Sequence, residues 1–221
     1  MNVLVIGANG KIGRLLLKGL SVSDSYKPTA LIRSEEQHNY FNEIGVPVIV
    51  ESLESSEEVI GEVVTGFDAI VFTAGSGGKT GYDKTLEIDL DGAIKVINAA
   101  KDKNVKRFVM ISAAHADDRE FWEQSSIKPY YIAKHYADKE LTRSNLDYTI
   151  LRPVRLTDDT KPGKVKMLSD PSLLEREIPR VAVAETIMAV LGDTATYQKI
   201  IEMSSGEYSI AEALKRYTDQ N

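Results

Sequence analysis

The chain has 221 residues, 43% of them hydrophobic, with 27 basic against 33 acidic side chains, 3 histidines and no cysteine. Its net charge of −6 sets up a field that repels nucleic acid and anionic membranes, so neither is an expected partner. Without thiols there are no disulfides, thiol nucleophiles or zinc-thiolate sites, and His38, His115 and His135 lack metal-ligand spacing, so no metal is expected.

MNVLVIG opens the sequence as a strand entering a loop. No basic segment or cleavage site precedes it, and there is no apolar run of the roughly 18 residues that a membrane helix needs, so the chain reads as cytoplasmic. In VIGANGKIGRLLL, Gly7, Gly10 and Gly13 stand between this strand, 2–6, and a helix at 11–20. One glycine makes the tight turn, one lets the backbone approach a pyrophosphate, and one lets helix pack on strand. The free N–H groups and positive dipole of the helix start then face the phosphates.

A second strand, 28–32, ends in ALIRSEE, with Arg33 where folds specific for NAD carry an acid. A guanidinium cannot accept from a ribose 2′-hydroxyl but can pair with a 2′-phosphate, which points to NADP(H) over NAD(H). Ser34 can add a hydrogen bond, and Lys11 is a second candidate cation. Further strands are expected at 47–51, 68–73, 107–112 and 147–151, with helices at 35–43, 55–65, 83–102 and 130–144. The strands are near-continuous in Val, Ile, Leu and Phe, as in a parallel sheet covered on both faces. The alternation predicts an α/β fold, a Rossmann-type doubly wound parallel sheet with helices on both faces. GSGGKTG at 75–81 is not a P-loop, because that motif needs glycine where Thr73 stands.

PYYIAK places Tyr130 four residues before Lys134, so both project from one helical face. A ketone that gains hydride develops charge on oxygen, and a phenol can supply the proton. A neighbouring ammonium is expected to lower the phenol pKa from its usual ~10. His115 and Trp122, between the fifth strand and this helix, are candidates for the substrate side.

Beyond residue 151 the alternation breaks. LRPVRLTDDTKPGKV reads as loop, followed by a helix at 182–191, an apolar run at 199–204 and a closing helix at 209–218. One NAD(P)-binding domain over 1–221 is expected, with 1–153 mainly Rossmann core and 154–221 a mixed C-terminal part closing the pocket.

Four segments together resemble the atypical short-chain dehydrogenase/reductases, specifically the small NAD(P)H-binding group similar to flavin/biliverdin reductases. They are GANGKIG (7–13), IDLDGAIKVINAAKDKNVKRFVMIS (88–112), PYYIAKHYADKELTRSNLDYTILRP (129–153) and LTDDTKPGKV (156–165). The resemblance implies that Gly7, Ala8, Asn9, Gly10, Lys11, Ile12 and Gly13 cradle the pyrophosphate and Arg33 the 2′-phosphate. It places Glu51, Ser52 and Leu53 beside the adenine, and Thr73, Ala74 and Gly75 along the ribose. Lys134 would hold the nicotinamide ribose, with Pro153 and Val154 beside the nicotinamide. Ser112 would complete a catalytic set with Tyr130 and Lys134. The sequence departs from that pattern at Ala114, where a hydroxyl is expected, and at Val154, where the family often has glycine, followed by the charged Arg155. Two functions remain open: an NADP(H)-dependent oxidoreductase passing hydride to a small planar or carbonyl acceptor such as a flavin or quinone, or a non-catalytic NADP(H)-binding sensor or assembly factor.

Overall fold

The computed structural model describes residues 1–78, 80–161 and 163–220. Lys79, Pro162 and Asn221 lie outside the described residues, the first two within the GSGGKTG and LTDDTKPGKV stretches. The first half alternates β1 (Asn2–Ile6), α1 (Lys11–Leu20), β2 (Lys27–Ile32), α2 (His38–Glu43), β3 (Val48–Val50), α3 (Glu57–Val64) and β4 (Ala69–Phe72). A long helix follows in three phases: α4 (Tyr82–Lys84), a π-wound segment (Thr85–Gly92) and α5 (Ala93–Asp102). Next come β5 (Arg107–Ile111), α6 (Arg119–Gln124), α7 (Lys128–Thr142) and β6 (Asp147–Pro153). The remainder holds β7 (Arg155–Thr157), β8 (Val165–Leu168), β9 (Glu177–Pro179), α8 (Arg180–Leu191), β10 (Lys199–Ser205) and α9 (Ile210–Gln220).

The main sheet has eight strands in the order β3-β2-β1-β4-β5-β6-β10-β8. Every pairing is parallel except the last, where β8 runs antiparallel along β10. The alternation within each strand explains the layers. Val3, Val5, Val71, Val109 and Leu151 point to the face covered by α1, α2, α8 and α9. Leu4, Ile6, Ile70, Phe72, Phe108 and Ile150 point to the face covered by α3, α5 and α7. Both faces are dry, which is why the strands are apolar throughout rather than at alternate positions. The doubly wound expectation therefore holds.

The expectations differ from the structure at short, non-local elements. The loop read at 152–165 contains β7, which pairs with β9 in a small separate sheet. The apolar run at 199–204 is a full strand inside the main sheet. The connection ahead of α7 contains α6, whose start is capped by Asp118 accepting from Phe121 N at 2.9 Å.

Candidate functional site

The strand order reverses between β1 and β4, and ligands in open α/β sheets bind at such a switch point. A cleft of about 390 Å³ opens there, lined by the ends of β1 to β4 and the turns that follow them. Gly7 sits at φ +80°, and a Cβ on it would lie 2.5 Å from the Ala74 backbone nitrogen. A Cβ on Gly13 would lie 2.5 Å from the Gly7 carbonyl oxygen, so α1 can start this close to β1 only with glycine there. Gly10 caps α1 without any side-chain hydrogen bond, which leaves the helix start open toward the cleft. Thr73 Oγ donates to the Ile6 carbonyl at 3.0 Å and ties the β4 turn to the β1 turn. The elements thus build a cradle of backbone amides that a side chain would fill, a fit for a pyrophosphate.

Most of the expected cleft residues come together. Gly7, Ala8, Asn9, Gly10, Arg33, Glu51, Ser52, Leu53, Thr73, Ala74 and Gly75 all line it. Arg33 is exposed at the β2 end and makes no ion pair among the described residues. Glu51 accepts from Ser55 Oγ at 2.6 Å and Ser52 N at 2.8 Å; these bonds hold its carboxyl below the usual range. Asn9 turns its side-chain oxygen to Arg14, which stacks over Tyr40 at 4.3 Å.

Four of the expected residues engage other partners or the core. Lys11 is drawn away from the cradle to Asp158, 2.5 Å distant, and Asp158 also holds Arg180 at 2.6 Å. The Ser34 hydroxyl oxygen caps the short turn after β2, accepting from Glu36 N at 3.3 Å. Ile12 and Gly13 lie on the core side of α1 rather than on the cleft wall.

At the other end, α7 brings Tyr130 and Lys134 to the tips of β4 and β5. Lys134 is only 5% exposed, and its ammonium is 3.2 Å from Asp89 Oδ1, 3.4 Å from the Ile111 carbonyl oxygen and 5.6 Å from the Tyr130 ring centre. Asp89 projects from the π-wound segment and accepts from Ser76 N at 2.8 Å. Burial works against the Lys134 charge, but the Tyr130 phenol and Asp89 outweigh it and raise the ammonium pKa. The expectation for Tyr130 is reversed. Burial raises its phenol more than Lys134 lowers it, and Asp89 and Asp138 push the same way as burial.

Ser112 is engaged inside the core. It is 3% exposed and donates to Asp138 Oδ2 at 2.8 Å. Asp138 belongs to a charge cluster centred on the buried Arg152, whose guanidinium reaches the buried Asp138 at 2.8 Å and Glu202 at 3.2 Å and the exposed Asp117 at 2.7 Å. His135 adds contacts to the Ala116 carbonyl at 3.0 Å and Asp117 at 2.9 Å. Burial pushes the Glu202 carboxyl up to about 7 despite Arg152.

The substrate-side candidates separate. Trp122 is 1% exposed and donates its indole N–H to the His115 carbonyl at 2.9 Å, so it is a core residue and cannot cover a ligand. Arg155 is exposed, away from the cleft, and paired with Glu177. His115 is half-buried, in a left-handed backbone conformation at φ +64° with its ring stacked on Phe121 at 4.2 Å. Pro153 and Val154 are held in the sheet: the Pro153 carbonyl accepts from Ala114 N at 3.0 Å, and Val154 N donates to Met203 at 3.1 Å.

Sequence reasoning missed Asp89, Asp138, Arg152 and Glu202. A signal existed for two of them. Arg152 interrupts DYTILRP and Glu202 interrupts KIIEMS, both otherwise apolar strands, and a charge there is almost never buried without a partner.

Residues 7–194 match the family model described as NAD(P)H-binding. YhfK of Bacillus subtilis (strain 168), named as an uncharacterized sugar epimerase, is 46% identical over 98% of this chain and 100% of its own length. The UPF0659 protein YMR090W of Saccharomyces cerevisiae is 41% identical over 93% of this chain and 94% of its own. A Bacillus halodurans structure carrying a provisional NAD-dependent epimerase/dehydratase name superposes with a TM-score of 0.90 at 39% identity, covering 98% of this chain and 99% of that one.

Proposed function

The chain belongs to the NAD(P)H-binding family, and from that premise we propose that it is an NADP(H)-dependent oxidoreductase that reduces a small planar or carbonyl acceptor such as a flavin or quinone. One observation carries the cofactor choice: the residue facing the cleft at the end of β2 is the unpaired guanidinium of Arg33, not an acid. A 2′-phosphate there meets a cation, whereas a bare ribose hydroxyl meets no acceptor at that position. The open start of α1 fits the pyrophosphate, Leu31, Ile32 and Leu53 offer apolar walls to an adenine, and Lys134 is the residue assigned here to the second ribose.

The bound dinucleotide supplies the hydride. This chain's own part is to exclude water, orient the acceptor and deliver a proton. Tyr130 is the group placed for that delivery, since Ser112 is held by Asp138. The second reading, a non-catalytic NADP(H)-binding protein, draws on the same fact: no hydroxyl stands at Ala114 to assist the tyrosine.

Calorimetric titration with NADPH and NADH tests the cofactor assignment. A charge-assisted contact is worth about 1.5–3 kcal/mol, or roughly 10- to 150-fold tighter binding of NADPH. Arg33→Ala should erase that difference. Equal affinities in the unsubstituted protein would overturn it. NADPH consumption with FMN or menadione supports turnover, and binding without consumption favours the second reading.

A further inference from the structure

Asp89 is a carboxylate at 1% exposure in the middle of a helix. It reaches this position because eight residues, Thr85–Gly92, are π-wound between two α-helical stretches. Such segments are rare and concentrate at functional sites. One carboxylate oxygen holds Ser76 N at 2.8 Å, which fixes the loop that follows β4. The other stands 3.2 Å from Lys134 and has no hydrogen-bond partner among the described residues. That loop approaches so closely that a Cβ on Gly75 would lie 3.0 Å from the same oxygen. The carboxylate is therefore enclosed between the loop and the lysine.

We infer that Asp89 biases this site toward its proton-donating form: by pairing with Lys134 it offsets the field of the ammonium at Tyr130 and keeps Tyr130 a phenol, the form that gives a proton during reduction, whereas oxidation needs the phenolate. The inference rests on the oxidoreductase reading and names what regulates its chemistry. In the reducing direction the acceptor carbonyl carbon gains two electrons with the hydride, its C=O π bond breaks, and the oxygen takes the Tyr130 proton. Solvent then returns a proton to the phenolate. That transfer is downhill even from a weakly acidic phenol, because an alkoxide is a far stronger base. The reverse reaction, and any epimerisation that proceeds through it, needs phenolate in the resting protein, and Asp89 makes phenolate scarce.

The charged groups facing Tyr130 and Lys134 support this balance. Asp89 comes from the π-wound segment and Asp138 from the next turn of α7. Asp138 is itself engaged by Arg152 of β6 and Ser112 of β5, and Tyr131 adjoins Tyr130 at 5.6 Å between ring centres. Two carboxylates thus face one ammonium, and the raised phenol of Tyr130 follows from its burial and that balance.

Tyrosinate absorbance provides the test without cofactor or turnover. The difference between the protein and its Tyr130→Phe variant, followed from pH ~8 to ~12 with circular dichroism in parallel, isolates one phenol. Its midpoint is expected above the free value of ~10. Asp89→Asn keeps the size and the acceptor for Ser76 but removes the charge, and should lower the midpoint by about 1–2 units. Adding Lys134→Met should shrink that drop, since the part that Asp89 exerts through the lysine is then lost and only its direct effect on the phenol remains. An unchanged midpoint in folded Asp89→Asn, or a drop just as large in the Lys134→Met background, overturns the inference. Absence of NADPH consumption with any flavin or quinone would instead remove the oxidoreductase reading, a separate result from the absorbance shift.

Discussion

The two ends of the site are held by different physics. At the glycine turn, backbone meets backbone: Gly7, Gly13 and the β4 turn approach until no Cβ fits, and charge plays little part. At the tyrosine end, side chains meet side chains through charges brought from distant positions, Arg152 and Glu202 being 50 residues apart along the chain. The first end should tolerate changes of pH and salt but not a methyl group. The second should tolerate changes of shape that keep the charge balance but not the loss of its central cation.

The sharpest way to break this comparison is Gly7→Val. Left-handed strain costs about 1–3 kcal/mol and overpacking about 1–3 more, so denaturant unfolding should show a loss on the order of 2–6 kcal/mol, flat with pH. A loss below about 1 kcal/mol would mean that the turn relaxes and is not built by close approach. Arg152→Met leaves Asp138, Asp117 and Glu202 facing one another without a cation. Breaking a buried ion cluster costs about 3–5 kcal/mol, and the loss should shrink in acid as the carboxyls take up protons. If it is equally large at every pH, the cluster is not held by charge.

Glu202→Gln sharpens the same contrast with the opposite sign. Below about pH 4.5 Glu202 is protonated in both folded and unfolded chains and carries no penalty. Between about 4.5 and about 7 the unfolded chain ionises while the folded one retains its proton, so this carboxyl makes folding progressively less favourable. Above about 7 the deficit is complete. The glutamine variant should therefore match the parent near pH 4.5 and exceed it by about 2–3 kcal/mol at pH ~8. A variant less stable than the parent at pH ~8 would show that Glu202 is a net stabilising partner of Arg152. The smallest effect is expected for Lys11→Ala. Its bridge to Asp158 is exposed on both sides, and such pairs add little. Its unfolding midpoint should stay unchanged; a clear drop would mean that the contact between α1 and the C-terminal part is structural.

This division also governs what could be read in the sequence. β1 and α1 are found at 2–6 and 11–20 as expected, because apolar runs and glycine spacing are local patterns. The cradle and Arg33 were legible for the same reason. β7 and β9 were not, since each has three residues and no strand-like run, and exists only because the other lies beside it. Asp89 was hidden because the reading assumed α-winding through 83–102, and the π-wound turns give it a different face. Ser112 was offered by the family resemblance and Tyr130 by its spacing to Lys134, whereas their surroundings are set by Asp138 and Asp89, which neither reveals.

The position of β10 in the sheet has a consequence for the timing of synthesis. β6 is made well before its neighbour, because the 45 residues from Val154 to Gln198 separate Pro153 from Lys199. At translation rates of ~5–20 residues per second, β6 stands for roughly 2–9 s as the open edge of an otherwise complete parallel sheet. An open edge of apolar residues is a template for pairing with another chain. Arg152 sits on that edge before Glu202 exists, a charge that a second nascent strand could cover only by desolvating it. If that charge opposes pairing, replacing Arg152 by methionine should reduce the yield of soluble protein even where the finished fold survives.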